Sequence, residues 1–264
     1  MPELPDVEVF RRYLNATALH KTVKDVAVKD AGVLRGISGK KLKGRLNGRS
    51  LESTKRRGKH MLAGLDNGHW LTFHFGMTGY LEYFKVPSGE REHDRVVMEF
   101  RNGYRLAFVN RRKLGRMGLV EDAARFFAAH SLGPDALDLD LGNFEDLMEG
   151  RRGSVKPALM DQSLIAGIGN IYSDEILYQA GVHPKTPVGK LKEEAVRRLF
   201  HRMNHVLKMA IKRKADPDQL PQTWLLTHRQ DGAACPRCGG KVRRIKISGR
   251  STYLCPACQS KSGR

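Results

Sequence analysis

The sequence predicts an α+β protein in three successive parts: an antiparallel sheet domain behind a leading helix, a helical domain, and a short cysteine-bearing hairpin. Three observations predict it. Extended runs joined by Asn-Gly pairs fill the chain to about residue 130, apolar residues then recur at helical spacing, and all four cysteines lie in the tail. Strand patterns followed by helix patterns, rather than alternating with them, favour α+β over a parallel α/β sheet. At 264 residues with 40% hydrophobic side chains, the chain is long enough for two cored domains and an appendage. The predicted divisions are 1–130, 131–230 and 231–264.

The opening "MPELPDVEVF" joins a proline to a helix signal. Val7, Phe10, Leu14 and Ala18 share one helical face, so a helix is expected from Val7 to about His20. Pro2 has no N–H to give a sheet. With Met1 removed, the chain would begin with a secondary amine beside the Glu3 carboxylate. Beyond the helix, "GLDNGHWLTFHF" and "MEFRNGYRLAFV" each place Asn-Gly between extended runs, which predicts two tight hairpins with type I′ turns. "HSLGPDALDLDLG" reads as a linker.

The helical part begins with "DQSLIAGIGNIYSDEILYQAGVHP": a short helix, the turn Gly167-Ile168-Gly169-Asn170, and a second helix ending at Gly181. A dinucleotide loop would need a third glycine and a preceding strand, and both are missing. A helix–turn–helix hairpin fits better. Its turn amides and Asn170 could grip a phosphate where the helix dipole favours an anion, or the turn could merely join two helices. Val196, Leu199, Phe200, Met203, Val206, Leu207 and Ile211 then form the stripe of a core-facing helix, which "KADPDQLPQ" ends with two prolines.

In the tail, Cys235–Cys238 and Cys255–Cys258 are two C-x-x-C pairs separated by sixteen residues. This is the spacing of a four-thiolate zinc site. Disulfides and a redox pair are the alternatives: an intracellular setting disfavours the first, two matched knuckles the second. Four thiolates leave no open position, so one structural Zn2+ is expected, stabilising a segment too short to bury its own core. Between the knuckles, "VRRIKISGRSTYL" reads as two strands with a turn at Ser248-Gly249. That turn presents Arg250, either to a phosphate or to water.

Lys and Arg number 47 against 28 Asp and Glu, a formal charge of +19. Solubility alone does not require so much charge; a polyanion does, with nucleic acid ahead of an anionic membrane surface. Nine basic residues and one acid lie between Lys40 and Lys59, eight bases and one acid from Asp231 onward, and six acids without a base between Gly133 and Gly150. Two basic blocks about an acidic connector suggest two DNA-facing parts and a solvated linker. No apolar run is long enough to span a bilayer. Early acids at Glu3, Asp6 and Glu8 do not fit a signal peptide, so an intracellular, cytoplasmic protein is expected.

"MPELPDVE", "RRGKHML", "HFGMTG", "DQSLIAGIGNIYSDEILYQAGVHP" and "GRSTYLCPACQ", in this order along the whole chain, resemble the formamidopyrimidine-DNA glycosylase/endonuclease VIII family. Leu4-Pro5 after Pro2-Glu3 is similar to the formamidopyrimidine-DNA glycosylase branch. The resemblance implies a two-layer β-sandwich with a leading helix, a helix–two-turn–helix domain, a zinc finger, and damaged double-stranded DNA bound between the two domains. It implies a nucleoid-associated, bacterial-type enzyme, taken as a monomer: a bifunctional DNA glycosylase and AP lyase of base excision repair.

In that family the N-terminal proline is the nucleophile, here Pro2. Attack on the sugar C1′ expels the damaged base and leaves an iminium, an electron sink that permits β- and then δ-elimination. A free α-amine titrates near pH 7.7–8.0 in model compounds, so a useful fraction is already neutral. By the same resemblance Glu3 is the general acid/base, and Lys59, also catalytic, contacts the phosphate beside the lesion and helps protonate the leaving base. His74, Asn170 and Arg250 match phosphate contacts. Met77 matches the intercalating residue that fills the stack when the base is flipped out, and "NRRKLG" aligns Arg112 and Leu114 with a second wedge loop. Asp6, Tyr172 and Glu175 line or support the lesion pocket.

Three departures stand out. Asp6 replaces a more usual Glu. "NRRKLG" replaces Asp-Pro-Arg-Arg-Phe-Gly, so Leu114 stands where an aromatic wedge is expected. The stretch Ala215–Cys235 is shorter than in members with a full lid over 8-oxoguanine. Short-lid members favour hydantoins, formamidopyrimidines or oxidised pyrimidines. A non-catalytic damaged-DNA-binding module is the rival reading, and the intact Pro2-Glu3 with Lys59 speaks against it. A zinc-dependent nuclease fails because a closed four-thiolate site activates no water.

Overall fold

The computed structural model describes residues 2–85 and 91–260; Met1, whose removal the Pro2 amine requires, lies outside them. The chain divides into two compact units. One holds Pro2 and Asp6–His130; the other holds Glu3–Pro5 and the chain from Ser131.

The first unit runs α1 (Leu4–Thr17, its first two residues in the second unit), β1 (Val23–Val28), β2 (Leu34–Arg35), α2 (Gly39–Leu46), β3 (Leu51–Arg57), β4 (His60–Leu65), β5 (Trp70–His74), β6 (Gly79–Lys85), β7 (Asp94–Phe100), β8 (Tyr104–Asn110), β9 (Arg116–Val120) and α3 (Ala123–Ala129). The strands form two sheets, β1-β7-β8-β6 and β2-β9-β5-β4-β3. Every pairing is antiparallel except β2 with β9. Side chains alternate across a strand, so Leu71, Phe73 and Phe75 enter one core with Met98, Phe100, Leu106 and Phe108 of the other sheet. Phe73 and Phe108 meet across the layers with ring centroids 6.1 Å apart. Burying each such ring contributes about 2 to 3 kcal/mol. Val7, Leu14 and Ala18 of the α1 face join this core. The helix starts earlier than its apolar period suggests, at Leu4, because Pro5 is at home in a first turn where its missing N–H costs nothing.

Both Asn-Gly hairpins form, β4–β5 and β7–β8, but not with type I′ turns. Gly68 and Gly103 have φ of +84° and +80°, whereas Asn67 and Asn102 are not among the positive-φ residues. Gly68 N–H donates to Leu65 O and Gly103 N–H to Phe100 O, so each loop carries three residues and its glycine alone takes the left-handed position. The Asn side chains accept instead from the backbone two residues on, at His69 and Tyr104.

The second unit contains α4 (Leu141–Met148), α5 (Val155–Met160), α6 (Asn170–Ala180), α7 (Glu193–Lys212), β10 (Arg243–Ile247) and β11 (Arg250–Leu254). Helix α7 buries Leu199, Met203, Val206, Leu207 and Ile211, the expected stripe. Helix α6 ends at Gly181 in the left-handed conformation. The expected solvated linker is a packed strap. Ala136 and Leu139 are buried in the helical core, and its backbone pairs with the glycine turn through Ala136 N–H to Ala166 O and Ala166 N–H to Pro134 O. Asp138 and Asp140 stay in water between Leu137, Leu139 and Leu141, while Asp135 is buried and accepts from Leu137 N–H. No helix among the described residues is long and apolar enough to cross a membrane.

Candidate functional site

In the second unit the turn before α6 is built around Glu3. Gly169 N–H and Ile171 N–H each donate to its carboxylate at 2.8 Å, and Tyr172 N–H at 3.2 Å. A side chain at Gly169 would lie 2.3 Å from the Glu3 carboxylate, and one at Gly167, whose φ is +117°, 2.5 Å from Leu4. The Gly-x-Gly spacing therefore exists so that residues 3 and 4 can dock on the backbone. The helix terminus does hold an anion, as its dipole favours, but these amides are taken by Glu3 and are not an open phosphate grip.

Asn170 and Arg250 lie in the same unit. Arg250 is exposed at the start of β11, just beyond a Ser248-Gly249 turn in which both residues have positive φ, as a type I′ hairpin requires. Asn170 is half-buried and held on both sides of its amide: Lys156 Nζ donates to Oδ1 at 2.8 Å, and Nδ2 donates to Ser251 O at 3.0 Å. Tyr172 and Glu175 are buried. Burial pushes the Glu175 carboxyl up to about 7, against the lowering effect of Gln179 and of Leu226 N–H. Gln179 Nε2 donates to Oε1 at 2.7 Å and Leu226 N–H to Oε2 at 2.7 Å.

The four cysteine sulfurs lie within 4.8 Å of one another, with Cys235–Cys258 at 3.8 Å and Cys238–Cys255 at 3.5 Å. A tetrahedron of Zn–S bonds near 2.3 Å has edges of roughly 3.8 Å, so the set fits one zinc ion. Tyr178 Oη is 3.3 Å from Cys235 Sγ, and Gln259 ties Cys255 N–H to Val182 O. These contacts orient the knuckles from outside the metal shell.

In the first unit Lys59 follows Gly58 in the turn joining β3 to β4. His60 and His74 face each other across β4 and β5, rings 5.0 Å apart, and His130 stacks 4.9 Å from His60. Burial, then the neighbouring charges, lower His60 to about 3, and burial with the Lys59 and Arg116 charges lowers His74. Gly76 N–H donates to His74 Nδ1 at 3.3 Å, so the neutral ring carries its proton on Nε2. Asp6, half-buried, lies in this unit with Pro2. Glu8 is buried in α1 among Arg11, Arg12 and Arg56. Burial acts to raise its pKa, but the hydrogen bonds of Arg11 and Arg12 and the charges of Arg11 and Arg56 bring it down to about 2.

Met77 and Leu114 are 40% and 42% exposed, two of three large apolar side chains so exposed among the described residues. Their loops are braced together. A Cβ on Gly76 would meet the Leu114 carbonyl carbon at 2.5 Å. Buried Asn110 donates to Phe75 O at 3.0 Å and accepts from Leu114 N–H at 3.1 Å. Arg112 N–H donates to Thr78 Oγ1 at 3.2 Å.

Comparison with known proteins accounts for this arrangement. Residues 1–117 match the formamidopyrimidine-DNA glycosylase N-terminal domain, 132–220 the formamidopyrimidine-DNA glycosylase H2TH domain, and 232–261 the zinc finger found in FPG and IleRS. The chain belongs to the formamidopyrimidine-DNA glycosylase family. It is 34% identical to the formamidopyrimidine-DNA glycosylase of Chloroflexus aurantiacus, over 98% of either chain. It is 33% identical to that of Streptococcus pyogenes, over 99% of either chain. Among solved structures it is similar to Lactococcus lactis Fpg in complex with an abasic-site DNA, at 27% identity and TM-score 0.89, covering 98% of this chain and 100% of that one. It is equally similar to that protein in complex with a Fapy-dG containing DNA, at 28% identity and TM-score 0.89.

For a glycosylase-family chain the sequence reading overlooked three supports: Asn110 behind the Met77 and Leu114 loops, the buried Lys156–Asp174 pair behind Asn170, and the arginine cage of Glu8. Asn110 left a visible signal, a polar residue closing an apolar strand run before a basic loop, and Glu8 with Arg11 and Arg12 left another, the i,i+3 and i,i+4 spacing of helical ion pairs. The Glu8–Arg56 and Lys156–Asp174 pairs join residues far apart in the chain, and single-segment periodicity carries no trace of them.

Proposed function

We propose that this protein is a bifunctional DNA glycosylase and AP lyase of base excision repair. It removes oxidised bases of the formamidopyrimidine, 8-oxoguanine or hydantoin type from double-stranded DNA. The observation that carries this reading is the Glu3 carboxylate, fixed by three backbone amides immediately after Pro2 in the chain.

With Met1 removed, the neutral Pro2 nitrogen attacks C1′ of the damaged nucleotide. The C1′–base bond breaks and the base takes a proton from water or the Lys59 ammonium; the amine proton passes by way of Glu3 to O4′ as the C1′–O4′ bond breaks, which leaves an iminium. The resulting iminium draws electrons from the adjacent C2′–H, so loss of that proton expels the 3′ phosphate, and a second elimination expels the 5′ phosphate. Glu3 protonates the opening sugar oxygen and then moves the following protons. Its carboxylate stays aimed because its acceptors already hold N–H donors. Lys59, neutral His74, Asn170 and Arg250 hold phosphates. Met77, with Arg112 and Leu114, fills the gap left by the flipped nucleotide, while Asp6, Tyr172 and Glu175 support the pocket. The zinc ion supplies no chemistry; bound by Cys235, Cys238, Cys255 and Cys258 it holds the hairpin that carries Arg250. Such a protein works as a monomer on the nucleoid in the cytoplasm, its domains spanning 1–130, 131–230 and 231–264.

Duplexes carrying formamidopyrimidine, 8-oxoguanine, a hydantoin or dihydrouracil test the reading. Release of a free base and strand scission leaving phosphate at both ends is expected from at least one of the first three. Release from dihydrouracil alone would favour an enzyme for oxidised pyrimidines; release from none of the four, with DNA binding intact, would leave only the binding-module reading.

A further inference from the structure

Behind Asn170 lies a buried polar cluster. Asp174 on α6 is its centre, 1% exposed. Its Oδ1 accepts from Lys156 Nζ at 2.6 Å, and its Oδ2 accepts from Arg229 Nη2 at 2.7 Å and from Tyr253 N–H at 3.1 Å. Those donors come from α5, from the segment after α7, and from β11 of the zinc hairpin. Lys156, equally buried, spends its remaining hydrogens on Asn170 Oδ1 and on Thr252 Oγ1 at 2.7 Å. The Arg229 guanidinium lies 4.8 Å over the Tyr253 ring. Burial drives the Lys156 ammonium towards the neutral form, and the Asp174 charge opposes this.

The geometry has a direction. Residues 251–253, which follow Arg250 in β11, are each fastened to this cluster: Ser251 O by Asn170, Thr252 Oγ1 by Lys156, and Tyr253 N–H by Asp174. An ammonium hydrogen on Asn170 Oδ1 also decides which way the amide faces. The NH2 end must then point to Ser251 O, and one of its two hydrogens remains for another acceptor. We infer that Asp174 is a positioning residue for DNA binding: through Lys156, Arg229 and Tyr253 it sets the amide of Asn170 and the register of the Arg250 hairpin, so that both reach neighbouring phosphate oxygens together. The inference rests on the reading of Asn170 and Arg250 as phosphate contacts.

The test uses the full-length zinc-loaded protein and a duplex with a tetrahydrofuran abasic analogue, which has no base to release. In Asp174→Asn the carboxylate becomes an amide whose NH2 must oppose either the Lys156 ammonium or the Arg229 and Tyr253 donors. Its Kd is expected to rise about tenfold or more with one zinc still bound per chain. On cleavable DNA, KM should rise while kcat stays within about twofold. A second variant, Lys156→Met with Asp174→Leu, replaces the ion pair by apolar volume, an exchange that often restores or raises stability. Because Arg229 and the Tyr253 N–H lose their carboxylate, it is expected to melt below the parent yet fold, with affinity reduced as in Asp174→Asn, and it carries the test if Asp174→Asn does not fold. Affinity within twofold of the parent in either folded variant would overturn the inference, as would recovery of affinity together with melting temperature in the double variant. If Asn170→Ala leaves the parent Kd unchanged, the phosphate reading itself fails, a different result from loss of the coupling.

Discussion

Glu3 is surrounded by N–H donors, so its charge serves structure and chemistry at once. A glutamine there would turn its NH2 against one of three amides, leaving a buried donor unmatched at a cost of about 1 to 3 kcal/mol. Glu3→Gln is therefore expected to lower the melting temperature by several degrees and to cut base release at least about 100-fold. Single-turnover excision at a temperature where both proteins are folded separates the two effects. Glu175 bears on the pH dependence of stability. Its folded pKa, about 7, lies above that of an unfolded glutamate, so the native state binds the extra proton between roughly pH 4.5 and 7. Its contribution to stability is complete below that window and is lost as pH rises through 7, on the order of 3 kcal/mol for a shift of this size. Glu175→Gln keeps an acceptor for Leu226 N–H and should flatten that part of the stability–pH curve, read by chemical denaturation at pH 5 and 8.

At the level of elements, the two wedge loops differ from the residue holding them. Leu114 and Met77 are exposed, so Leu114→Ala should leave the melting temperature within about a degree while slowing excision, because nothing then props open the stack. Asn110→Ala removes the brace between Phe75 O and Leu114 N–H; it should cost about 2 kcal/mol and disorder both loops together. The strands, the α7 stripe and the zinc knuckles were legible in the sequence because each is a local period or spacing. The hairpin turns were legible as turns but not as types, since Asn67 and Asn102 satisfy the backbone with their side chains. The 133–141 strap was misread because its acids suggested solvent while its alternate residues were apolar. The Gly167–Asn170 turn was read either as a phosphate grip or as a plain joint between helices; its amides hold the Glu3 carboxylate instead, a contact across more than 160 positions that no window can display. The family motifs, carried over residue by residue, named most of the candidate site; its long-range ion pairs, Glu8–Arg56 and Lys156–Asp174, were in neither period nor motif.

On the scale of the molecule, a formal charge of +19 makes DNA affinity a counterion-release process. Log K should fall linearly with log salt by about 0.9 per phosphate neutralised. Arg250→Ala should reduce that slope by about one, as titrations between 50 and 200 mM salt would show. A slope independent of this substitution would remove Arg250 from the interface. The central claim, however, is that the N-terminal amine is the nucleophile, and borohydride trapping tests it most directly. Correctly processed protein is mixed with duplexes carrying a formamidopyrimidine, a hydantoin or an abasic site, reduced, and compared with Pro2→Gly and with a form that retains Met1. A covalent adduct on lesion DNA, mapped to residue 2, weakened in Pro2→Gly and absent when Met1 is kept, is the predicted result. An adduct that persists at full yield with Met1 in place, or that maps to a lysine, would contradict it.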